Sequence, residues 1–112
     1  MLTDLQQQRL ARNESFFREV NERINEIAPV FGAREEHRLE YLCECSDPHC
    51  SERISITRAE YEAVRAGPRR FLIAPGHDLP EIEQVVAAGD EHAVVEKEGH
   101  AGEVAEHLDP RA

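Results

Sequence analysis

Three thiols crowd into eight residues of this chain, Cys43-Glu44-Cys45-Ser46-Asp47-Pro48-His49-Cys50, and no other cysteine occurs in it. Three chemistries compete for such a C-x-C-x4-C spacing. A disulfide fits poorly, because same-face neighbours on an extended strand lie ~7 Å apart and the thiol count is odd. Inert core thiols are the second reading, since free cysteine often packs as a small hydrophobe, but three of them beside a polar turn make an improbable core. Metal ligation is the third and is preferred. Zinc takes thiolate and imidazole in a tetrahedral shell at about 2.3 Å and 2.0 Å. Two same-side thiols at a strand end, with a third returned by a proline turn, supply three ligands if the strand bends at Cys45. His77 is the chosen fourth, because Pro75-Gly76 just before it forms a turn able to hold the imidazole beside the cysteines. His49, His37, Asp47 and water remain alternatives. The usual two-knuckle zinc pattern would show a second C-x2-C, which this sequence lacks. The expectation is one structural zinc per chain, held by Cys43, Cys45, Cys50 and His77.

The elements that must position these groups can be read on either side of them. Leu39, Tyr41, Cys43 and Cys45 alternate with Glu40, Leu42 and Glu44, and Ile54 and Ile56 alternate with Arg53 and Ser55. Residues 39 to 57 therefore read as a hairpin with the cysteines at its tip. Thr57-Arg58-Ala59-Glu60 is a capping box that opens a short helix, closed by Gly67-Pro68. Phe71-Leu72-Ile73 reads as a strand ending at Pro75-Gly76. Ile82 to Ala88 suits a strand better than a helix, and Val94-Val95 completes an antiparallel hairpin after the Gly89-Asp90 turn.

Upstream, Thr3-Asp4-Leu5-Gln6 is a second capping box, and Leu10, Phe17, Val20, Ile24 and Ile27 recur at helical spacing until Pro29. The spacing predicts a helix over about 3 to 28, its apolar stripe packed on the protein's own sheet. The same stripe with Asn13 forms an a/d seam, so a homodimer through the N-terminal helix is the alternative use. Downstream, residues 99–112 read as an acidic tail, disordered or helical for a turn or two around Val104 and Leu108. His100, Glu103 and His107 would share a face if that tail were helical, a weaker second candidate for metal.

Composition bounds the rest. At 112 residues and net charge -10, with 40% hydrophobic residues and no Trp, the chain suits one small domain, expected over residues 1–98. Lys97 is its only lysine, against 12 arginines, and residues 78 to 112 hold 10 acidic and 2 basic residues. That balance argues against general nucleic-acid binding, although Arg65, Arg69 and Arg70 could form a local basic patch. No apolar run approaches the ~18 residues of a membrane span, and no leader pattern opens the chain, so a cytoplasmic protein without a membrane anchor is expected. A core this small gains from a metal staple.

Arg12-Asn13-Glu14 with Phe17 to Ile24, the Cys43 to Cys50 cluster, Thr57 to Arg65, Phe71 to His77 and Val94 to Lys97 together resemble a set of small, acidic, uncharacterised actinobacterial-type proteins. The likeness spans most of the chain and departs at Gly89 to His92, which is richer in glycine. It implies a cytoplasmic single domain and carries no assigned activity.

The combined expectation is an α+β fold: a long N-terminal helix packed on a short antiparallel sheet, a zinc-stapled hairpin and a short intervening helix. The zinc-deaminase H-x-E pattern, the H-E-x-x-H of metalloproteases and the nucleophile elbow are all missing from the sequence. Glu44 or Glu52 could serve as a base beside an open metal, though both read as ordinary exposed carboxylates. The preferred function is a non-catalytic adaptor or regulator that presents its helix, its metal loop or its acidic C-terminal third to a protein partner. The alternative is a small zinc-dependent hydrolase or thiol-dependent enzyme.

Overall fold

The computed structural model describes residues 2–111 of the chain, and the fold is α+β. Helix α1 (Asp4–Ile27) begins at the expected capping box: the Gln6 amide donates to Thr3 Oγ1 (3.2 Å) and the Thr3 amide to Gln6 Oε1 (2.9 Å). Pro29 ends the α-helical geometry, and the chain tightens into a 3₁₀ turn, Ala28–Phe31, closed by Gly32 at φ +90°. Strands β1 (Arg38–Leu42) and β2 (Arg53–Thr57) form the hairpin, with Tyr41 opposite Ile54 and Leu39 opposite Ile56. Thr57 then caps α2 (Arg58–Val64) through the second box, with Glu60 as its reciprocal partner.

Strands β3 (Arg70–Ile73), β4 (Glu83–Ala88) and β5 (Ala93–Lys97) make a second antiparallel sheet in the order β3-β5-β4. A bulge at Val86 interrupts the β4-β5 ladder. The two sheets meet at Glu44, whose backbone amide donates to the Leu72 carbonyl (2.7 Å) and whose Oε1 accepts from the Leu72 amide (2.8 Å). A side chain thus supplies half of what a β-bridge would supply. The core lies between the sheets and the helices. It is built on Tyr41, Ile54, Ile56, Tyr61, Phe71, Leu72, Ile73 and Val95, all buried, with the Tyr41 and Tyr61 rings stacked at 4.4 Å. Each such side chain contributes on the order of 1.5 to 3 kcal/mol of burial free energy.

Helix α1 packs inward through a different face from the one its apolar pattern suggests. Its buried residues are Ala11, Glu14, Ser15, Arg18, Asn21, Glu22 and Asn25. Leu10, Phe17, Val20 and Ile24 sit half-buried on one shoulder, and Ile27 is exposed. The inversion is tolerated because most of the buried polar groups find partners. The Arg18 guanidinium donates to the carbonyls of Pro68 and Ala105 (both 2.7 Å) and lies over the Phe71 ring. Asn21 bonds the Leu42 backbone in both directions, and Asn25 accepts from the Tyr41 hydroxyl (2.9 Å). Glu22 binds Arg65 and Arg111, while Lys97 is held between Glu14 and Glu83 with none of the three exposed.

The C-terminal stretch also differs from the expected tail. It forms helix α3 (Gly99–His107), packed on α1 with Ala101, Gly102 and Ala105 buried. Gly102 leaves room on the sheet side: a Cβ there would sit 2.9 Å from the Lys97 carbonyl oxygen at the end of β5. The central arginines are no free basic patch, since Arg65 pairs with Glu22 and Asp109, Arg69 with Glu106 and Arg70 with Glu96. Among the described residues no helix is long and apolar enough to cross a membrane.

Candidate metal centre

Past Leu42 the hairpin pairing continues for one more bond, from the Cys43 amide to the Glu52 carbonyl (3.0 Å), and then the chain leaves the strand. Asp47 takes over. Its Oδ1 accepts from the His49 amide (2.9 Å) and its carbonyl from the Cys50 amide (3.1 Å), with Pro48 at the second turn position. This side-chain turn reverses the chain and returns Cys50 toward Cys43. On the facing loop, β3 runs into a turn in which the His77 amide donates to the Ala74 carbonyl (3.1 Å). Pro75 fixes the second position, and Gly76 at φ +82° takes the left-handed third, the arrangement of a type II turn.

The two loops place Cys43, Cys45, Cys50 and His77 together, with one potential ligand atom from each lying within 4.8 Å of every other. His77 Nδ1 is 3.5 Å from Cys43 Sγ and 3.6 Å from Cys50 Sγ. Ligands bonded to one zinc at about 2.3 Å and 2.0 Å at a tetrahedral angle stand about 3.5 Å apart, so these spacings fit an ion at the centre. Cys43 and Cys45 are closer than same-face neighbours on a straight strand, because the strand ends at Leu42 and the chain bends as the spacing required. The two thiols are buried, whereas Cys50 and His77 are half-buried at the rim. All three cysteines are free thiols.

The electrostatics suit a cation. Cys45 is pulled down to about 5, first by its hydrogen bond with Cys43 and also by His77 and the Asp47 amide. Cys43 is pushed up by that same bond and by burial, and burial likewise raises Cys50. Crowded thiols can shed one proton readily but not three, and a metal ion supplies the positive charge that lets all three ionise. The Ala74 amide donates to Cys43 Sγ (3.2 Å), a backbone contact that also favours the thiolate.

The alternatives to His77 lie outside the cluster among the described residues. His49 is exposed, Asp47 is spent on the turn, and His37 Nδ1 accepts from the Arg34 amide (2.8 Å). The C-terminal histidines do not join a second cluster there: His100 faces Glu103 at 3.8 Å, and His107 is exposed at the end of α3. Glu52 is exposed, as read. Glu44 is not; it is fully buried, on the opposite side of the chain from the two thiols that flank it.

Sequence reasoning passed over Asn21 and read Glu44 as an exposed carboxylate, whereas the two are buried together. Asn21 Nδ2 donates to Glu44 Oε2 (2.7 Å), and the Tyr61 hydroxyl approaches the same oxygen (3.4 Å). Burial pushes the Glu44 carboxyl up to about 7 against the pull of Asn21 and the Leu72 amide. Through this contact α1 and β3 fix the segment that carries Cys43 and Cys45. Alternation set Glu44 on the face of the exposed Glu40, opposite Tyr41, and so gave no sign that its carboxyl would be buried. Comparison with known proteins adds no relative: no family model, curated protein or solved structure matches the chain.

Proposed function

We propose that the chain is a small non-catalytic zinc protein, acting in the cytoplasm as an adaptor or regulator through contact with another protein. The observation that carries this reading is the convergence of three sulfurs and one imidazole nitrogen within 4.8 Å. Thiolate and imidazole suit zinc. Four protein ligands fill a tetrahedron and leave no position for a substrate, which distinguishes a structural zinc from a catalytic one. The partner surface is supported by the acidic C-terminal third. There β4 is an edge strand with β5 as its main neighbour, its residues after Glu83 are exposed, and Glu81, Asp90 and Glu91 flank it.

One observation favours the enzyme alternative. A cleft of about 260 Å³ lined by Cys45, Ser46, Asp47, Gly76, His77 and Asp78 opens beside the ligands. Native mass spectrometry of protein purified without added metal is expected to show one zinc per chain; stoichiometric free thiols and no metal would overturn the reading. Cobalt substitution then separates the two roles. A closed four-ligand spectrum supports the adaptor, and exchangeable water on the metal supports the hydrolase.

A further inference from the structure

The thiols of the cluster differ in how they are held and covered. Cys43 is 1% exposed, its amide donates to the Glu52 carbonyl (3.0 Å), and its Sγ accepts from the Ala74 amide (3.2 Å). Glu44, bonded to Leu72 and Asn21, fixes the backbone just after it. Cys50 lies on the opposite arm, half-buried at the rim. The exposed turn that carries it is closed by bonds from the His49 and Cys50 amides to Asp47. Among the described residues, Ser46 to His49 make no hydrogen bond to any part of the chain beyond Cys45 and Cys50.

Access is equally uneven. The cleft of about 260 Å³ beside the ligands has Cys45, Asp47, His77 and Asp78 in its wall, and Cys43 is not part of that wall. Two sulfurs therefore face the outside, Cys50 at the rim and Cys45 at the foot of a cleft, and they stand within 4.8 Å of each other. A disulfide needs them at ~2.05 Å, a closure the Asp47 turn can make because it is tied to nothing further off. The two carboxylates on the cleft wall disfavour an anionic oxidant such as glutathione disulfide, whereas a small neutral hydroperoxide enters unopposed.

We propose that the cluster is a hydroperoxide-sensitive thiol site, in which Cys50 is oxidised first and Cys45 captures it as a disulfide while Cys43 stays out of the exchange. The inference rests on the zinc reading of the cluster and adds regulation to it. The Cys50 thiolate attacks one oxygen of the peroxide: an S–O bond forms, the O–O bond breaks, and the departing oxygen takes a proton from solvent and leaves as water or an alcohol. The Cys45 thiolate then attacks the sulfenic sulfur. The S–S bond forms, the S–O bond breaks, and the hydroxide that leaves takes a second proton and becomes water. The two sulfurs give up two electrons in all, and the peroxide accepts them. Cys43 and His77 alone remain as ligands, half the set of a structural zinc, so oxidation releases the ion. A dithiol reverses the step by thiol–disulfide exchange.

Hydrogen peroxide at one equivalent per chain tests this on the full wild-type protein, its zinc first counted by native mass spectrometry. The expected product is lighter by two hydrogens, with one disulfide inside the chain that peptide mapping assigns to Cys45 and Cys50. Its zinc passes to a chromogenic indicator, and dithiothreitol with added zinc restores the starting mass. Dimedone present during the reaction labels Cys50, and glutathione disulfide at the same concentration reacts at least tenfold more slowly. A zinc-loaded chain that keeps its thiols and its metal overturns the proposal and leaves the zinc reading standing. A disulfide that includes Cys43, a dimedone label on another sulfur, or glutathione disulfide acting as fast as peroxide also overturns it. A chain purified without metal overturns both readings, and the initial zinc count tells the two failures apart.

Discussion

The sulfur cluster and the polar seam beneath α1 meet on three consecutive residues, and they are completed in opposite ways. Cys43 and Cys45 turn toward Cys50 and His77, in a cluster that could hold a metal ion. Glu44 turns the other way, to Asn21, Tyr61 and the Leu72 amide, and is finished by the chain itself. On the proposed zinc reading, one end of the molecule takes its order from an ion, the other from hydrogen bonds already made. The difference teaches that this segment does not depend on a metal alone: the helix is tied to it from behind.

The comparison can be broken from either side. The largest effect is expected at the cluster, where Cys45→Ser removes a ligand and the associated free energy, on the order of 10 kcal/mol for a structural zinc. Its melting transition should collapse, and a strong chelator should reproduce the collapse in the wild type while adding nothing to the variant. A wild type whose melting curve ignores the chelator would mean the polar seam holds the fold alone.

An intermediate effect is expected at Glu44. Glu44→Ala leaves the Leu72 amide and one N–H of Asn21 without their carboxylate acceptor in a buried setting, a loss of about 3 kcal/mol by chemical denaturation. Native mass spectrometry should still find the metal bound. If metal binding disappears with the carboxylate, the two fastenings are one unit.

The smallest effect sharpens the seam itself. Burial pushes Glu14 well above the usual carboxylate range, against the pull of Lys97. The folded state therefore keeps a proton that the unfolded chain has already released. Stability from this group is greatest below the unfolded value of ~4.3 and falls as pH rises toward the folded one. Glu14→Gln should flatten that fall, seen as a smaller difference between denaturation curves at about pH 5 and pH 8 than in the wild type. An unchanged difference would show that Glu14 does not titrate with folding.

What could be read in the residues beforehand was whatever is local. Thr3 with Gln6 and Thr57 with Glu60 start helices by contacts three residues apart, and Pro75-Gly76 turns the chain just before His77. The strand alternation was read through Cys45, but β1 stops at Leu42, and Cys43 and Cys45 converge from the bent segment that follows it. The inner face of α1 was illegible because Arg18, Asn21 and Glu22 look like solvated residues until the carbonyls and arginines that receive them, as far as 89 residues away, are in place. Helix α3, read only as a frayed turn or two or a disordered tail, was underestimated for a related reason. Ala101, Gly102 and Ala105 carry little hydrophobic signal, and their value lies in letting α3 pack closely against α1 and the end of β5.

The burial of Lys97 has a chemical corollary. As the sole lysine, and fully enclosed between two carboxylates, it leaves the folded surface without a side-chain primary amine. Acylating reagents, aldehydes and lysine-modifying enzymes find none until the chain opens, so any adduct at that nitrogen records an unfolding event rather than a surface encounter.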